Sequence, residues 1–431
     1  MRVLNPLAAE LNQVLQRHPN LVEMFSKKGR EIYFPRQGIL AQSAEAKGKE
    51  INATIGIALE DDGAPMALHA LSEKIKEKTE AVFNYAPSFG NLELRKVWLN
   101  KTFEKNPSLQ GKLLSLPIVT SAITHALSVC GYLFLDENDA IITPDLFWDN
   151  YTLLFENAYG AVLESFQTFK GLKFNVEGFR QSVQSQKQDK IVALLNFPNN
   201  PSGYTPTIAE AKAITNVLIE AASQGKKVVA LIDDAYFGLV YEDGIFQESI
   251  FTFLCDAHPN LLAVKIDGAT KEDYVWGFRV GFITFGIKGG TAEIYKALEN
   301  KTAGVIRGNI SNAPNISQSL LYSAYTDPRY AEDKKEKFNT LKTRYEKVKQ
   351  ILTAHPEYQQ VFEALPFNSG YFLCLALTNA NPEKVRQHLL QKYSVGVIAF
   401  ESVLRVAFSA TPLSKLESLF DRIYKACLDL R

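Results

Sequence analysis

Residues 268–281 read GATKEDYVWGFRVG and stand between two apolar runs. The run before them, Leu262–Ile266, and the run after them, Val280–Phe285, are each predicted to form a strand. Lys271 lies near the start of the stretch, and Arg279 follows eight residues later. Most lysines are solvated surface groups, so Lys271 stands out only through its position directly after a strand.

Two further polar segments follow predicted strands in the same way. NPSG at residues 200–203 comes just after the strand Ile191–Asn196, and DDAY at residues 233–236 closes the strand Val228–Asp233. Taken alone, NPSG predicts only a turn. Asp233 alone is equally consistent with a helix cap and with a ligand-binding carboxylate. Open α/β sheets, however, bind ligands at the carboxyl ends of their strands. The three segments therefore predict one shared site.

The surrounding pattern predicts an α/β fold. Several of the strands are apolar throughout, as expected when helices cover both faces of a sheet. Helical stretches lie between several of them, including Ile208–Gln224, which is typical of the crossovers of a parallel sheet. We predict a large domain over residues 65–325, with a mostly parallel sheet flanked by helices. Three more strands belong to it: Leu116–Val119, Ala140–Thr143 and Val162–Phe166.

The pattern changes after about residue 315. Glu332–His355 is heavily charged, but its apolar residues recur at spacings of three and four, which predicts an amphipathic helix leaving the large domain. Residues 1–64 and 326–431 are predicted to pack together as a smaller α+β domain. The C-terminal segment contributes two strands and a closing helix: Gly370–Leu377, Leu404–Phe408 and Leu413–Leu428.

Composition excludes several classes of protein. The formal net charge of the 431 residues is zero, whereas nucleic-acid binding relies on excess Lys and Arg. No apolar run approaches the roughly 18 to 20 residues that span a bilayer, and residues 1–28, with apolar residues at helical spacing, lack the apolar block of a signal peptide. The four cysteines are widely spaced, and no histidine arrangement suggests a metal or a serine nucleophile. We expect a cytoplasmic protein without nucleic-acid, membrane or metal partners.

Together, the three polar segments resemble the class I/II aminotransferases of fold type I pyridoxal-phosphate enzymes, as in aspartate and aromatic aminotransferases. Residues 268–281 fit the lysine signature of that family at nearly every position, the exception being Tyr274, where the family usually has a small residue. The resemblance runs from about Gly56 to Arg405. It implies transfer of an amino group between an amino acid (aspartate, glutamate or aromatic) and a 2-oxo acid, with pyridoxal 5'-phosphate as the electron sink.

The resemblance also implies catalytic and cofactor roles. Lys271 resembles the Schiff-base lysine, which then moves a proton between the substrate α-carbon and the cofactor. Asp233 resembles the aspartate that pairs with the pyridine nitrogen, and Asn200 and Tyr236 match the donors to the phenolic oxygen of the ring. Arg279 matches the guanidinium that grips the phosphate, a bidentate task suited to arginine.

The phosphate cradle is expected at the turn Ser121-Ala122-Ile123. A helix beginning there would direct its free N–H groups at the phosphate. Ile123 and Gly268 stand where hydroxyl residues are common in the family. This departure puts the affinity for the cofactor in doubt, but not its identity.

PDLFWDNY at residues 144–151 resembles the segment whose aromatic side chain stacks on the pyridine ring. Trp148 is the predicted residue, from its spacing to Asn150, and Phe147 is the alternative. Two other residues bear on the substrate. Arg405 resembles the arginine that binds the α-carboxylate, and Gly56 matches a loop closing over the substrate, where a side chain would intrude.

Two residues imply a homodimer with shared sites. Tyr85, in YAPSFG at residues 85–90, resembles the tyrosine that reaches the phosphate of the neighbouring subunit. Arg307 is spaced from Ser311 and Asn312 like the arginine that binds a distal substrate carboxylate across the interface. A structural or interface contact is the alternative for Arg307. Aromatic donors also stay open, since relatives that prefer them keep this arginine and swing it aside.

Two other functions are alternatives to amino transfer. A β-lyase, decarboxylase or ring-forming synthase of the same fold shares Lys271, Asp233 and Arg279, and the motifs scarcely separate these activities. A cofactor-sensing regulator usually carries a DNA-binding segment ahead of the fold, but the roughly 50 residues before Gly56 are not strongly basic. A binding module without activity would be expected to lose the lysine. The motifs leave the preferred donor, the acceptor and the pathway open.

Overall fold

A computed structural model describes residues 4–15, 39–54, 56–72, 84–400 and 402–431. Its strands, in chain order, are β1 (Ile51–Asn52), β2 (Ile118–Ser121), β3 (Ala140–Pro144), β4 (Val162–Phe166), β5 (Phe169–Lys170), β6 (Lys173–Phe174), β7 (Lys190–Asn196), β8 (Lys227–Asp233), β9 (Leu261–Gly268), β10 (Val280–Ile287), β11 (Phe362–Ala364), β12 (Phe372–Leu377), β13 (Val395–Gly396), β14 (Ile398–Ala399) and β15 (Val403–Ala407). Its α-helices of seven or more residues are α1 (Pro6–Leu15), α2 (Ile39–Glu45), α3 (Leu92–Lys105), α4 (Ala122–Phe134), α5 (Val176–Gln184), α6 (Ile208–Ser223), α7 (Ala292–Asn309), α8 (Asn315–Tyr325), α9 (Tyr330–Ala354), α10 (Pro382–His388) and α11 (Leu416–Asp429).

The large sheet has seven strands in the order β2-β10-β9-β8-β7-β3-β4. Strand β10 runs antiparallel to both of its neighbours, and the remaining pairs are parallel. Asn196 at the end of β7 pairs with Asp233 at the end of β8, and Asp233 pairs with Ile266 in β9. The mostly parallel sheet is confirmed, and the three polar segments that follow β7, β8 and β9 start at one edge of it.

Helices cover both faces of this sheet, which explains the unbroken apolar runs. Along β7, Val192 and Leu194 belong to one buried cluster, whereas Ile191 and Leu195 belong to the cluster on the other face. Helix α4 packs on β10 and β9, while α5 and α6 pack together against the opposite face. Because successive side chains of a strand point to opposite faces, both sets must be apolar.

The smaller unit combines the two ends of the chain. Its four-stranded antiparallel sheet has the order β11-β12-β15-β14. Strand β1 pairs with β13 in parallel, with Ile51 opposite Val395, so the N-terminal segment joins the C-terminal one. The 25-residue helix α9 leads into this unit, as its charged amphipathic pattern predicts. We propose domain boundaries at residues 64/65 and 325/326, which this pairing supports.

Several element ends differ from the prediction for local reasons. Strand β2 begins at Ile118 rather than Leu116, because the Leu116 N–H donates to the Glu299 carboxylate at 3.0 Å, away from the ladder. Strand β12 begins at Phe372 rather than Gly370, whose φ is +70° and whose N–H donates to the Leu239 carbonyl.

The structure contains a helix in part of residues 1–28, where the sequence predicts helical spacing. Helix α1 ends at Leu15, and residues 16–28 lie outside the described residues. No helix in the described part of the chain is long and apolar enough to cross a membrane.

Candidate active site

A cavity of about 190 Å³ opens at the carboxyl edge of the large sheet. Its walls come from both units of the chain. They consist of Gly56, Ile123, Thr124, Trp148, Tyr151, Asn196, Asn200, Asp233, Ala235, Tyr236, Lys271, Phe372 and Arg405. Eight of the thirteen residues predicted from the sequence are in this set: Gly56, Ile123, Trp148, Asn200, Asp233, Tyr236, Lys271 and Arg405.

Lys271 lies in the short helix Ala269–Glu272, directly after β9. Burial lowers its pKa to about 8, opposed by the charge of Asp233 and assisted by that of Arg279. Its Nζ lies 5.0 Å from the centre of the Tyr236 ring. The Tyr371 hydroxyl donates to the Lys271 carbonyl at 3.0 Å and fixes the segment. A sizeable fraction of this amine is therefore neutral near pH 7 to 8, as a nucleophile or base requires.

Asp233 is the last residue of β8 and is 3% exposed. Burial raises its pKa, while the Tyr151 hydroxyl, the charge of Lys271 and the Ala235 N–H act in the opposite direction. The hydroxyl donates to Oδ2 at 2.6 Å, and the N–H donates to Oδ1 at 3.0 Å. These donors stabilise the carboxylate and offset part of the rise in pKa that burial causes.

Asn196 joins two of the site segments. Its Nδ2 donates to the Asp233 carbonyl at 2.8 Å, and its Oδ1 accepts the Asn200 N–H at 2.8 Å. From the sequence, Asn196 is predicted only as the end of a strand. In the fold it fixes the NPSG segment beside Asp233.

A buried ion cluster holds the ends of β8 and β9 together behind the cavity. Lys265 Nζ bonds the Asp234 carboxylate at 2.6 Å and the Asp267 carboxylate at 2.8 Å. All three side chains are at most 2% exposed. Asp234 follows Asp233, so this cluster fixes the strand ends from which Asp233 and Lys271 project.

Arg405 brings a buried positive charge to the cavity from β15. Its guanidinium donates to Asn200 Oδ1 at 3.0 Å and to the Thr54 carbonyl at 3.1 Å, and it lies 4.2 Å from the centre of the Phe372 ring. Its Nε is buried and has no hydrogen-bond partner among the described residues. An unused donor on a buried cation favours an anionic ligand.

Gly56 also lines the cavity, next to Phe372. A Cβ atom at this position would lie 3.7 Å from Phe372 Cζ, an ordinary van der Waals contact. The protein atoms therefore leave room for a side chain, and any exclusion of one would have to come from the ligand.

The aromatic segment after β3 places Trp148 in the cavity wall. Phe147, the alternative, is outside the described lining and stacks on Tyr151 with ring centres 6.1 Å apart. Trp148 meets the same tyrosine edge-on at 5.7 Å. The geometry thus favours Trp148 as the residue that faces a ligand.

The turn that was predicted to hold a phosphate lies where β2 passes into α4. Helix α4 begins at Ala122, whose φ is +66°, and Ile123 lines the cavity. The Ser121 N–H donates to His125 Nδ1 at 3.1 Å, so this amide is already used within the protein. Ser121 and Ala122 are outside the described cavity lining.

Two glycines let β10 and β9 pass close to this turn. A Cβ at Gly281 would lie 2.6 Å from the Ala122 carbonyl carbon, and a Cβ at Gly268 would lie 2.6 Å from the Val280 carbonyl oxygen. The backbone at 268 thus has no room for a hydroxyl side chain. This close approach of the backbone favours glycine at position 268.

Arg279 ends this stretch in a left-handed conformation, with φ +54°. It is exposed, and its Nη1 donates to the Trp276 carbonyl at 3.2 Å. It is absent from the described cavity lining, but its charge is close enough to lower the pKa of Lys271.

Tyr85 and Arg307 lie away from the cavity of the single chain. Tyr85 is 90% exposed. Arg307 is exposed in the last turn of α7, where its Nη1 donates to Ser311 Oγ at 2.6 Å. Both residues were assigned to a site of the neighbouring subunit, so their roles stay predictions.

The fold and the site define a fold type I enzyme, with a half-buried lysine and a buried aspartate at adjacent strand ends. The model of the family described as aminotransferase class I and II matches residues 49–423. The chain belongs to this family and is an aminotransferase. Members of the family use pyridoxal phosphate and act on amino acids and 2-oxo acids.

Individual relatives are distant. An aspartate aminotransferase of Bacillus subtilis (strain 168) is 26% identical over 314 residues, which cover 71% of this chain and 74% of that protein. The solved structure of an aminotransferase from Anaerococcus prevotii has a TM-score of 0.83 at 24% identity, covering 93% of this chain and 98% of that one. A kynurenine aminotransferase from Pyrococcus horikoshii, solved in complex with PMP, has a TM-score of 0.78 at 16% identity, covering 95% and 98%. The two structures establish the shared fold.

Proposed function

We propose that this chain binds pyridoxal 5'-phosphate at Lys271 and transfers an amino group from an amino acid, either acidic or aromatic, to a 2-oxo acid. One observation carries the proposal. A half-buried lysine with a pKa lowered to about 8 shares a cavity with a buried carboxyl group, Asp233, and a buried guanidinium, Arg405. An amine that reacts, an anion for the ring nitrogen and a cation for the substrate are the groups this chemistry needs.

The donors of the cavity fit the cofactor. When bound, pyridoxal phosphate supplies an aldehyde for the amine and a ring that accepts electrons from the substrate α-carbon. Asp233 would hold the pyridine nitrogen, and Asn200 and Tyr236 would donate to the ring oxygen. Asn200 can do so while its Oδ1 is bonded to Arg405, because its Nδ2 carries two protons of its own. Trp148 would cover one face of the ring.

The phosphate would bind at the start of α4. Backbone N–H groups there, such as that of Ile123, and the helix dipole favour an anion. Arg279 would add its guanidinium from the neighbouring turn. Gly268 and Ile123 have no hydroxyl group to donate to the phosphate. Backbone amides would therefore supply more of its hydrogen bonds.

The protein side of the reaction follows from these positions. Arg405 orients the substrate by its α-carboxylate, and its unused Nε is a donor for that group. Lys271, once free, accepts the proton from the substrate α-carbon and later returns a proton. Burial supports this role because it keeps a fraction of the amine neutral. Tyr236, 4% exposed beside Lys271, shields the amine from water.

Arg307 is our candidate for substrate selection. Its exposed guanidinium would reach the site of a second copy and pair with a distal carboxylate, which favours aspartate or glutamate. The relative from Bacillus subtilis named aspartate aminotransferase supports acidic donors. Aromatic donors remain compatible with an arginine that moves aside.

A homodimer with shared sites is part of the proposal. The exposure of Tyr85 and Arg307 supports it, because neither side chain reaches the cavity of its own chain. A cytoplasmic location is proposed from the four cysteines, which are free and buried.

The test is a panel of amino acids mixed one at a time with cofactor-loaded protein. Transfer predicts that a good donor abolishes the visible absorption, releases its 2-oxo acid, and that a second 2-oxo acid restores the absorption. Lys271→Ala protein is the matched control and should release no 2-oxo acid. Release of ammonia would assign a β-lyase, and release of carbon dioxide would assign a decarboxylase. Either result without amino transfer would overturn the proposal.

A further inference from the structure

Tyr151 is a buried polar residue to which the sequence analysis gave no role. It is 1% exposed and lies in the aromatic segment between Trp148 and Phe155. Ring contacts at 5.7 Å and 5.9 Å with these two neighbours fix its orientation. Its hydroxyl reaches across 82 positions of sequence to donate to Asp233 Oδ2 at 2.6 Å.

The hydroxyl acts as a donor in this pair. Burial, together with the negative charge of Asp233, raises the pKa of Tyr151 well above its usual range, so the phenol keeps its proton. A carboxylate accepts about four hydrogen bonds. With one from Tyr151 and one from the Ala235 N–H, Asp233 retains room for the ring nitrogen of a cofactor.

Other titratable groups face Asp233 from the packed elements. They are Lys271, from the segment after β9, and Tyr236, three residues beyond the end of β8. The Lys271 amine would bond to the cofactor and would later be freed to move protons, so its charge beside Asp233 would change during the reaction. The Tyr236 hydroxyl would donate to the ring oxygen. Tyr151 is therefore the side chain that can support the carboxylate throughout the reaction.

We propose that Tyr151 is a positioning residue that holds Asp233 as an anion, so that the proton shared by this carboxylate and the cofactor stays on the pyridine nitrogen. The inference rests on the proposed function. A hydrogen bond from the phenol stabilises the carboxylate and makes it a weaker base. Without it, the buried carboxylate takes the proton more readily, and the ring loses the positive charge that draws electrons from the substrate.

The test compares Tyr151→Phe with Tyr204→Phe in the cofactor-loaded enzyme. Tyr204 is a matched control because it is also buried and donates to a carboxylate, Glu210, at 2.8 Å, but is outside the described cavity lining. Both variants lose one hydroxyl and keep the ring. Pyridoxal phosphate labelled with ¹⁵N in the ring reports by its chemical shift whether the nitrogen carries a proton.

We expect the ¹⁵N shift of Tyr151→Phe to move toward that of the unprotonated ring and kcat to fall about ten- to a hundredfold, the range of one hydrogen bond to a charged group. The pH midpoint of the visible absorption should rise, because a less positive ring repels the proton on the Lys271 nitrogen less. Tyr204→Phe should keep the wild-type ¹⁵N shift and midpoint.

A second variant keeps the proposal testable if Tyr151→Phe folds poorly. Site-specific 3-fluorotyrosine at position 151 keeps the packing but makes the phenol a stronger donor, so the pH midpoint should move downward. A wild-type ¹⁵N shift, midpoint and kcat in both position-151 variants would overturn the role of Tyr151. Wild-type protein that takes up no cofactor would instead overturn the proposed function, and this inference with it.

Discussion

Replacing Arg405 with lysine should lower kcat/KM, because the enzyme would bind the α-carboxylate of its substrate less tightly. Lysine keeps the positive charge but loses the planar fork that matches a carboxylate. In the structure the guanidinium donates to Asn200 and Thr54, and its Nε has no hydrogen-bond partner among the described residues. Loss of one to two charge-assisted hydrogen bonds, at about 1.5 to 3 kcal/mol each, predicts a fall in kcat/KM of roughly ten- to ten-thousandfold. We expect about a hundredfold or more, mainly in KM.

Steady-state kinetics with the best donor of the panel measures this change. Arg344→Lys is the matched control. Arg344 is 1% exposed and donates to the Ser409 carbonyl and the Asp61 carboxylate, outside the described cavity lining. It should lose stability but keep kcat/KM within about threefold. Equal losses in the two variants, or wild-type kcat/KM in Arg405→Lys, would refute the role of Arg405 in binding the α-carboxylate.

Three further predictions concern the shared site and the lysine. Arg307→Ala should lower kcat/KM for aspartate or glutamate about a hundredfold while a neutral donor changes little; equal losses on both would make Arg307 a structural residue. Mixing inactive Lys271→Ala protein with inactive Tyr85→Ala protein should restore part of the activity, whereas no recovery in well-exchanged heterodimers would count against shared sites. Uptake of pyridoxal phosphate by cofactor-free protein should speed up as the pH rises through about 8, because only the neutral Lys271 amine attacks, and a rate independent of pH would contradict the lowered pKa.

Strand positions were predictable because a strand covered on both faces is apolar at every position. The core of β7 follows from this pattern alone. The direction of β10 did not follow, since an apolar run carries no information about which way the chain crosses the sheet. The start of β2 also depended on a distant partner, Glu299, which takes the Leu116 N–H out of the ladder.

The site was predictable where its residues follow strands or belong to a family motif. Tyr151 was not, because its bond to Asp233 depends on how the segment after β3 packs beneath β8. A tyrosine among other aromatic residues has no local signature of such a contact. The hydrogen bond from the Ser121 N–H to His125 could not be predicted either, since it depends on the turn at Ala122.

The most direct test of the account locates the cofactor on the chain. Cofactor-loaded protein would be reduced with borohydride, digested and mapped by mass spectrometry. We predict a yellow protein and a pyridoxyl group on the peptide that contains Lys271. Lys271→Ala protein should show no such adduct. A cofactor fixed on Lys265 or any other lysine, or wild-type protein that takes up none, would contradict the assignment of this cavity as the active site.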